Sequence, residues 1–222
     1  TCALPIFPIG VGLAFAHKYR NEKKISRVYV GDGAMSNGQV FEAFNLASLW
    51  SLPVLFIIEN NRYGMGTAVN RSAAGKDLYE RATVFGIEGE KINGMDFFEV
   101  SQAAIRARDH IYENSKPYVL EMDTYRYRGH SMSDPATYRS KDEVNEMKSN
   151  DPLISMKNKL QKDFKIKEDE FTVIETNIKK QIKEVEKFSL ESPLPDINEL
   201  FTEVYLWTFY FQPFLLLWNK ET

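Results

Sequence analysis

The sequence predicts an α/β protein with a doubly wound parallel sheet, because its local patterns alternate between strands and helices. Two short runs rich in β-branched residues, Val28–Val30 and Val54–Ile58, each end abruptly at polar residues. Between them, apolar residues recur at steps of three and four from Val40 to Trp50, as in an amphipathic helix. Such a strand–helix–strand unit joins parallel strands by a crossover. We therefore expect the polar residues after both strands to meet at the carboxyl edge of one sheet, where open α/β sheets bind their ligands.

The flanking segments continue this alternation of helices and strands. A helix at residues 8–20 is rich in small residues and should let another element pack closely. A short helix and a return loop are expected at residues 78–89. The helix at residues 97–114 begins at the capping box Asp96-x-x-Glu99, and the strand Tyr118–Met122 follows it. That helix should pack through Val100, Ala103, Ala104, Ala107 and Ile111.

The composition shifts to charged helices from Ser140 onward. Ser140-x-x-Glu143 is a second capping box, and Pro152 is suited to the first position of the next helix. Residues 168–188 predict an amphipathic helix with one apolar face. We therefore divide the chain into an α/β domain at residues 1–139, a helical extension at 140–204 and an apolar tail at 205–222.

Composition and charge exclude several classes of protein. The chain has 222 residues, of which 43% are hydrophobic, and this is enough for one domain with a sizeable core. Its net charge of −3 gives no basic field to attract nucleic acid. The single cysteine, Cys2, excludes an internal disulfide and a cysteine-based zinc site. The apolar tail is too short to span a bilayer, which needs about 20 apolar residues, so we expect no membrane partner.

The polar residues after the two central strands suit a metal–diphosphate site. Asp32 offers a carboxylate and Asn61 a neutral amide oxygen, and hard oxygen donors of this kind suit Mg²⁺. Gly31 and Gly33 would let the backbone approach a phosphate closely. The alternative is that Asp32 and Asn61 only cap a turn and a helix. Two such clusters at the ends of consecutive strands favour the metal site.

Two blocks of the sequence resemble a known family. GDGAMSNG at 31–38, followed by ENN at 59–61, resembles the thiamine diphosphate motif. The string at 41–67 and the block TYRYRGHSMSDPATYRSKDEV at 124–144 are similar to the alpha subunit of the pyruvate dehydrogenase component of the 2-oxo acid dehydrogenase complexes. The resemblance runs from about Pro8 to Leu206. It implies the thiamine diphosphate-binding type of α/β fold, with a helical C-terminal part.

The resemblance assigns roles to individual residues. It implies that Asp32, Asn61 and the backbone carbonyl of Tyr63 hold Mg²⁺, and that His130 contacts the cofactor or the reacting centre as the catalytic residue. The residues alone favour a packed loop aromatic for Tyr63 and a structural hydrogen-bonding group for His130. Arg126 and Arg128 should neutralise loop carboxylates or phosphates through forked hydrogen bonds. The positions that would present backbone to the diphosphate are Gly31, Gly33 and Ala34.

The implied function is oxidative decarboxylation of pyruvate with acetyl transfer to the lipoyl arm of the acyltransferase component. This links glycolysis to acetyl-CoA, and in the family it requires a beta subunit in an α2β2 heterotetramer, whose glutamate activates the cofactor's aminopyrimidine. The alternatives are a branched-chain 2-oxo acid or acetoin dehydrogenase, or a non-catalytic remnant that binds the cofactor or a beta subunit. A nicotinamide dehydrogenase is disfavoured, because the glycine spacing at 31–38 is wrong for a dinucleotide fingerprint.

The sequence also departs from the family pattern. A considerable upstream part of the family has no counterpart, and residues 1–7 lack its glycine-containing stretch, so we expect an N-terminally truncated fragment that is inactive alone. The resemblance fades after Leu206, and we expect residues 207–222 to be non-native. Ser131 matches a position that is phosphorylated in mitochondrial relatives, whereas the family's other serine positions have no counterpart, one of them being Ala68. The second block resembles bacterial members of the family more closely. This implies that the protein lies in the cytoplasm, or in the mitochondrial matrix if its source is a eukaryote.

Overall fold

A computed structural model describes residues 6–75 and 77–202. Four parallel strands form the main sheet, in the order β1–β2–β6–β5, and β3 and β4 form a small antiparallel hairpin. The strands are β1 Ser26–Gly31, β2 Val54–Asn60, β3 Tyr63–Gly64, β4 Thr67–Ala68, β5 Glu88–Asn93 and β6 Tyr118–Asp123. The helices are α1 Ile6–Tyr19, α2 Gly38–Leu49, α3 Val69–Ser72, α4 Phe97–Asn114, α5 Lys141–Lys148, α6 Pro152–Phe164 and α7 Glu168–Glu191. Short 3₁₀ helices lie at Asp32–Ser36, Tyr79–Phe85 and Ile197–Phe201.

Helices cover both faces of the main sheet, so the predicted α/β fold with a parallel sheet is confirmed. Alternate residues of β2 point to opposite faces. On one face, Phe56 and Ile58 pack with α1, α2 and the 3₁₀ helix Tyr79–Phe85. On the other face, Leu55 and Ile57 pack against α4. The central strand β2 is apolar on both sides because both of its faces are buried.

The predicted packing positions differ in detail from those observed. The helix α4 has the predicted bounds, but Ala104 is exposed, whereas Ala103, Ala107 and Ile111 are fully buried. In α2, Val40, Phe44 and Ala47 are buried, but Phe41 and the residue after the helix, Trp50, are 36% and 43% exposed. The predicted end of the return loop, at residue 89, is wrong, because β5 begins at Glu88. A strand with a single buried residue at the edge of the sheet carries little apolar signal.

Both predicted capping boxes form only in part. Asp96 accepts hydrogen bonds from the backbone N–H groups of Phe98 and Glu99, but the Glu99 carboxylate accepts from Asn93 instead of closing the box. Ser140 accepts from the backbone N–H of Glu143, but the Glu143 carboxylate binds two tyrosines. The predicted start of α6 is confirmed: Asp151 caps it and Pro152 occupies its first turn.

The chain falls into two compact units that divide between residues 165 and 166. The first contains the sheet, and the described part of the second contains α7, whose apolar residues, such as Ile178 and Val185, are exposed. The division after residue 139 stays a prediction. The predicted apolar tail, residues 205–222, lies outside the described residues, as do residues 1–5. Within the described ranges, no helix has the length and apolar content that crossing a membrane requires.

The close approach of α1 to β1 depends on Gly10. Its carbonyl accepts a 2.8 Å hydrogen bond from the buried hydroxyl of Ser26. A Cβ atom at Gly10 would lie 2.1 Å from Cγ2 of the buried residue Val28, whereas a Cβ at Gly12 would meet nothing within 4 Å. The predicted use of small residues for close packing is therefore confirmed at Gly10.

Replacing Gly10 by Ala should destabilise the fold, because valine has few alternative rotamers with which to avoid the new methyl group. We expect a loss of about 1–3 kcal/mol in the free energy of unfolding, as for other overpacked cores. The matched control is Gly12→Ala in the same helix, which should gain about 0.5–1 kcal/mol from helix propensity. Urea denaturation of both variants measures the difference, and equal stabilisation of the two would contradict this packing.

Candidate metal and diphosphate site

The ends of β1 and β2 meet at the carboxyl edge of the sheet, as the sequence predicts. Gly31 pairs with Glu59 in the parallel register, so the residues that follow each strand are neighbours. Asp32 opens a 3₁₀ helix directly after β1, and Asn61 follows the last residue of β2. β6 ends beside β2, because Asp123 pairs with Asn60. The loop after β6 therefore starts at this same edge.

Asp32 is the buried carboxylate of this edge. It is 5% exposed, and its Oδ2 atom has no hydrogen-bond partner among the described residues. Burial raises the pKa of Asp32, while the backbone N–H groups of Asp32 and Asn61 and the positive charge of Arg126 oppose the rise. A buried anionic oxygen without a donor is costly, and a cation would remove that cost.

Two glycines bring the β3–β4 hairpin onto the loop that carries Asp32. A Cβ on Gly33 would lie 3.1 Å from Cα of Gly64, and a Cβ on Gly64 would lie 3.0 Å from Cα of Gly33 and 3.6 Å from Oδ2 of Asp32. The backbones therefore pass each other with no room for side chains. A Cβ on Gly31 would meet nothing within 4 Å, so space remains open beside the end of β1.

The two asparagines at the end of β2 have different partners. The side chain of Asn60 turns inward, donates to Glu121 at 2.7 Å and accepts from the backbone N–H of Arg62. The side-chain oxygen of Asn61 accepts from the backbone N–H of Tyr63 at 3.3 Å. The side chain of Asn61 therefore holds the start of the hairpin, while its backbone N–H group acts on Asp32. Arg62, with a φ of 72°, makes the sharp turn that leads from β2 into the β3–β4 hairpin.

Arg126 reaches across from the loop after β6 and binds the hairpin. Its guanidinium donates to the carbonyl of Tyr63 at 3.0 Å, to the carbonyl of Met65 and to the hydroxyl of Tyr138. These hydrogen bonds go to neutral oxygens, while the positive charge of Arg126 acts on the carboxylates of Asp32 and Asp134. The side chain of Arg128 is exposed, and its backbone carbonyl accepts hydrogen bonds from Arg126 and Arg139. The contact of either arginine with a phosphate stays a prediction.

His130 lies in a loop that is folded around Asp134. The Asp134 carboxylate accepts from the backbone N–H groups of His130 and Ala136 and from the Tyr138 hydroxyl, and these bonds lower its pKa. The side chain of His130 is exposed. No hydrogen bond joins His130 to Asp32 or Asn61 within the described part of the chain. The hydroxyl of Ser131 lies 3.1 Å from that of Ser133.

A group of aromatic and charged residues behind the hairpin was not predicted from the sequence. We call it the tyrosine cluster, and its members are Tyr63, Tyr125, Tyr138, Arg139 and Glu143. The guanidinium of Arg139 lies 5.2–5.8 Å from the centroids of the three rings. Burial and the adjacent Glu143 carboxylate raise the pKa of Tyr125 to about 12, and that of Tyr63 is raised for the same reasons. The sequence signal for Glu143 indicated only a helix cap.

Glu121 is a second buried carboxylate that the sequence did not reveal. It is fully buried in β6 and accepts from Asn60 at 2.7 Å and from the backbone N–H groups of Leu78 and Tyr79 at 2.6 and 2.9 Å. These contacts fix the end of β2 to the start of the 3₁₀ helix Tyr79–Phe85. Unlike Asp32, Glu121 is fully engaged by donors, so its role is to hold the framework of the site.

The donor set fits one hard cation. Among the residues described, no group of three or more His, Cys, Asp or Glu side chains could hold a metal ion. The candidate oxygens are Oδ2 of Asp32, which has no partner among these residues, the side-chain oxygen of Asn61, which accepts from Tyr63, and the carbonyl of Tyr63, which accepts from Arg126. A single carboxylate with neutral oxygens leaves room for water and phosphate ligands, which is how Mg²⁺ is usually bound.

The sequence matches a known family model and several known proteins. A model of the dehydrogenase E1 component family matches residues 3–198. The chain is similar to the pyruvate dehydrogenase E1 component subunit alpha of Rickettsia felis, with 52% identity over 198 residues, and to that of Zymomonas mobilis, with 50% identity over 200 residues. Each alignment covers 89% of this chain and, respectively, 61% and 56% of the relative. A mitochondrial relative of the same name from Dictyostelium discoideum is 45% identical over 201 residues. The chain thus spans less than two thirds of the length of these relatives.

Replacing Asp32 by Asn should stabilise the metal-free chain at neutral pH. Because burial raises the folded-state pKa of Asp32, stability falls as the pH rises above the unfolded-state pKa of about 3.9. We expect Asp32→Asn to raise the free energy of unfolding at pH 7 by about 1 kcal/mol, and by less near pH 4. Urea denaturation between pH 4 and 8 measures this, with the exposed Glu42→Gln as the control. If Asp32→Asn is less stable than the unmodified chain at pH 7, the buried carboxylate does not cost stability and this account is wrong.

Proposed function

The chain belongs to the dehydrogenase E1 component family, and from this premise we propose that it is the alpha half of a thiamine diphosphate-dependent pyruvate dehydrogenase. The reaction is oxidative decarboxylation of pyruvate, with transfer of the acetyl group to the lipoyl arm of an acyltransferase component. The observation that carries the proposal is the buried Asp32, whose free oxygen lies at the carboxyl edge of a parallel sheet. Open α/β sheets bind their ligands at this edge.

The residues at this edge have separate binding roles. Asp32, Asn61 and the carbonyl of Tyr63 would hold Mg²⁺, which in turn would bind the diphosphate. The backbone of Gly31, Gly33 and Ala34 would face the phosphate oxygens. The open space beside Gly31 supports this role, because a Cβ there meets nothing within 4 Å. Gly33 has an additional reason to lack a side chain, which is its contact with Gly64.

The cofactor, when bound, supplies the electron sink for decarboxylation, and the chain supplies groups that orient the substrate and move protons. His130 would stabilise or protonate charge beside the reacting centre, as general acids and bases do. Its support is positional: it is exposed and lies in the loop that follows β6 at the ligand edge. The bonds to Asp134 would keep this loop, and hence the imidazole, in a defined place.

The substrate and the partners follow from the relatives. Pyruvate is proposed because the similar proteins carry the name pyruvate dehydrogenase E1 component subunit alpha. A beta subunit would supply the glutamate that activates the aminopyrimidine, in an α2β2 assembly, and a lipoyl domain would accept the acetyl group. This chain would then hold half of a shared site and would be inactive alone. We place the protein in the cytoplasm, because the relatives from Rickettsia felis and Zymomonas mobilis are bacterial.

Calorimetric titration of thiamine diphosphate with Mg²⁺ tests the proposal. We expect binding to a mixture of this chain with a beta-type subunit, and none to the chain alone, because half of the shared site is then missing. Asp32→Ala should abolish binding, since it removes the only proposed carboxylate ligand. Glu59→Gln is the matched control, because Glu59 is an exposed acid near the end of the neighbouring strand β2, at the same edge of the sheet. Binding by Asp32→Ala as tight as by the unmodified chain would refute the assigned site.

A further inference from the structure

We propose that Glu143 is a positioning residue for the metal site: it holds the side chain of Tyr63, and thereby the backbone carbonyl of Tyr63 that faces the cation. This inference rests on the proposed function, since it assumes that the carbonyl is a metal ligand. Glu143 lies far from the glycine and asparagine motifs along the chain, in the first turn of α5.

One carboxylate oxygen of Glu143 accepts hydrogen bonds from two tyrosine hydroxyls. The hydroxyl of Tyr63 donates to Oε1 at 2.8 Å, and the hydroxyl of Tyr125 donates to the same oxygen at 2.7 Å. The two rings meet edge to face, with their centroids 6.5 Å apart. Hydrogen bonds to an ionised acceptor are shorter and stronger than those between neutral groups. Glu143 therefore fixes the outer ends of two rings that come from different loops.

Arg139 closes the cluster around these rings. Its guanidinium lies 5.6 Å from the ring centroid of Tyr63 and 5.2 Å from that of Tyr125. It also donates to the backbone carbonyls of Arg126 and Arg128. The positive charge lies beside the Glu143–tyrosine group and is stabilised there by the ring faces. The cluster thus joins the start of α5 to the loop that carries His130.

Tyr63 is held at both ends, and this is what connects the cluster to the metal site. Its hydroxyl is bound by Glu143, and its carbonyl accepts from Arg126 at 3.0 Å. The hairpin in which it lies has no freedom on the other side, because Gly64 packs directly on Gly33. The bond from the Tyr63 hydroxyl to Glu143 is therefore one of the contacts that fix this residue, and its loss should leave the Tyr63 carbonyl less well oriented.

The ordinary alternative is that Glu143 only caps α5. In a capping box its carboxylate would accept from the backbone N–H of Ser140. Its observed partners are the two tyrosines instead, while Ser140 caps the helix through its own hydroxyl. Partners that orient metal ligands typically change metal affinity by about 10- to 100-fold when they are removed. We therefore expect the removal of the Glu143 carboxylate to act mainly on the affinity for the metal.

The test measures Mn²⁺ binding by electron paramagnetic resonance, with thiamine diphosphate present and the chain mixed with a beta-type subunit. Glu143→Ala should raise the Kd for Mn²⁺ about tenfold or more. Tyr63→Phe should do the same, because it keeps the carbonyl but loses the hydroxyl. Glu143→Gln should restore most of the affinity, since its amide oxygen can still accept from both tyrosines. Glu146→Ala, an exposed acid on the same helix, is the matched control and should bind as the unmodified chain does.

A kinetic measurement separates positioning from general destabilisation. The Mn²⁺ concentration for half-maximal activity should rise in Glu143→Ala, with little change in kcat at saturating Mn²⁺. If the unmodified chain in the mixture binds no Mn²⁺, the proposed function and this inference both fail. If it binds Mn²⁺ and both Glu143→Ala and Tyr63→Phe bind equally well, only the role of Glu143 is refuted. Tyr63→Phe alone decides the matter if Glu143→Ala does not fold.

Discussion

Asp32 keeps a carboxylate buried after the end of β1, where its Oδ2 atom has no donor in the part of the chain that the structure describes. Such a group costs stability in the metal-free chain, and the surrounding structure does not relieve that cost with a salt bridge. Two backbone N–H groups and the charge of Arg126 favour the ionised form, but burial outweighs them and raises the pKa. The rest of the site depends on this imbalance, because it creates a position where a cation is favourable.

The two buried carboxylates of the sheet show how position decides function. Glu121 lies inside β6 and receives one side-chain and two backbone hydrogen bonds. It fixes Asn60, and the backbone N–H of the next residue, Asn61, acts on Asp32. The hairpin that follows is pressed against Gly33 through Gly64 and is held from behind by Arg126 and Glu143. A fully bonded acid thus builds the framework, and an incompletely bonded acid is left for the ligand.

The sequence predicted what depends on local pattern. The strands β1, β2 and β6 and the helices α1 and α4 follow from apolar periodicity and caps, and the meeting of Asp32 and Asn61 follows from parallel pairing of consecutive strands. The edge strand β5 was missed because its sequence is polar and buries only Ile92. The contacts of Arg126 and Glu143 with Tyr63 could not be predicted, because they join residues more than 60 positions apart. The pattern at Glu143 indicated a local cap, whereas tertiary contacts recruited its carboxylate.

The most direct test of the central claim is to locate the metal. Crystals of this chain with a beta-type subunit, grown with thiamine diphosphate and Mn²⁺, would give an anomalous difference map that marks the ion. Our account predicts a single strong peak bound by the Asp32 carboxylate, the Asn61 side-chain oxygen and the Tyr63 carbonyl, with the diphosphate beside Gly31. A peak elsewhere, or a diphosphate bound away from the carboxyl edge of β1 and β2, would contradict it.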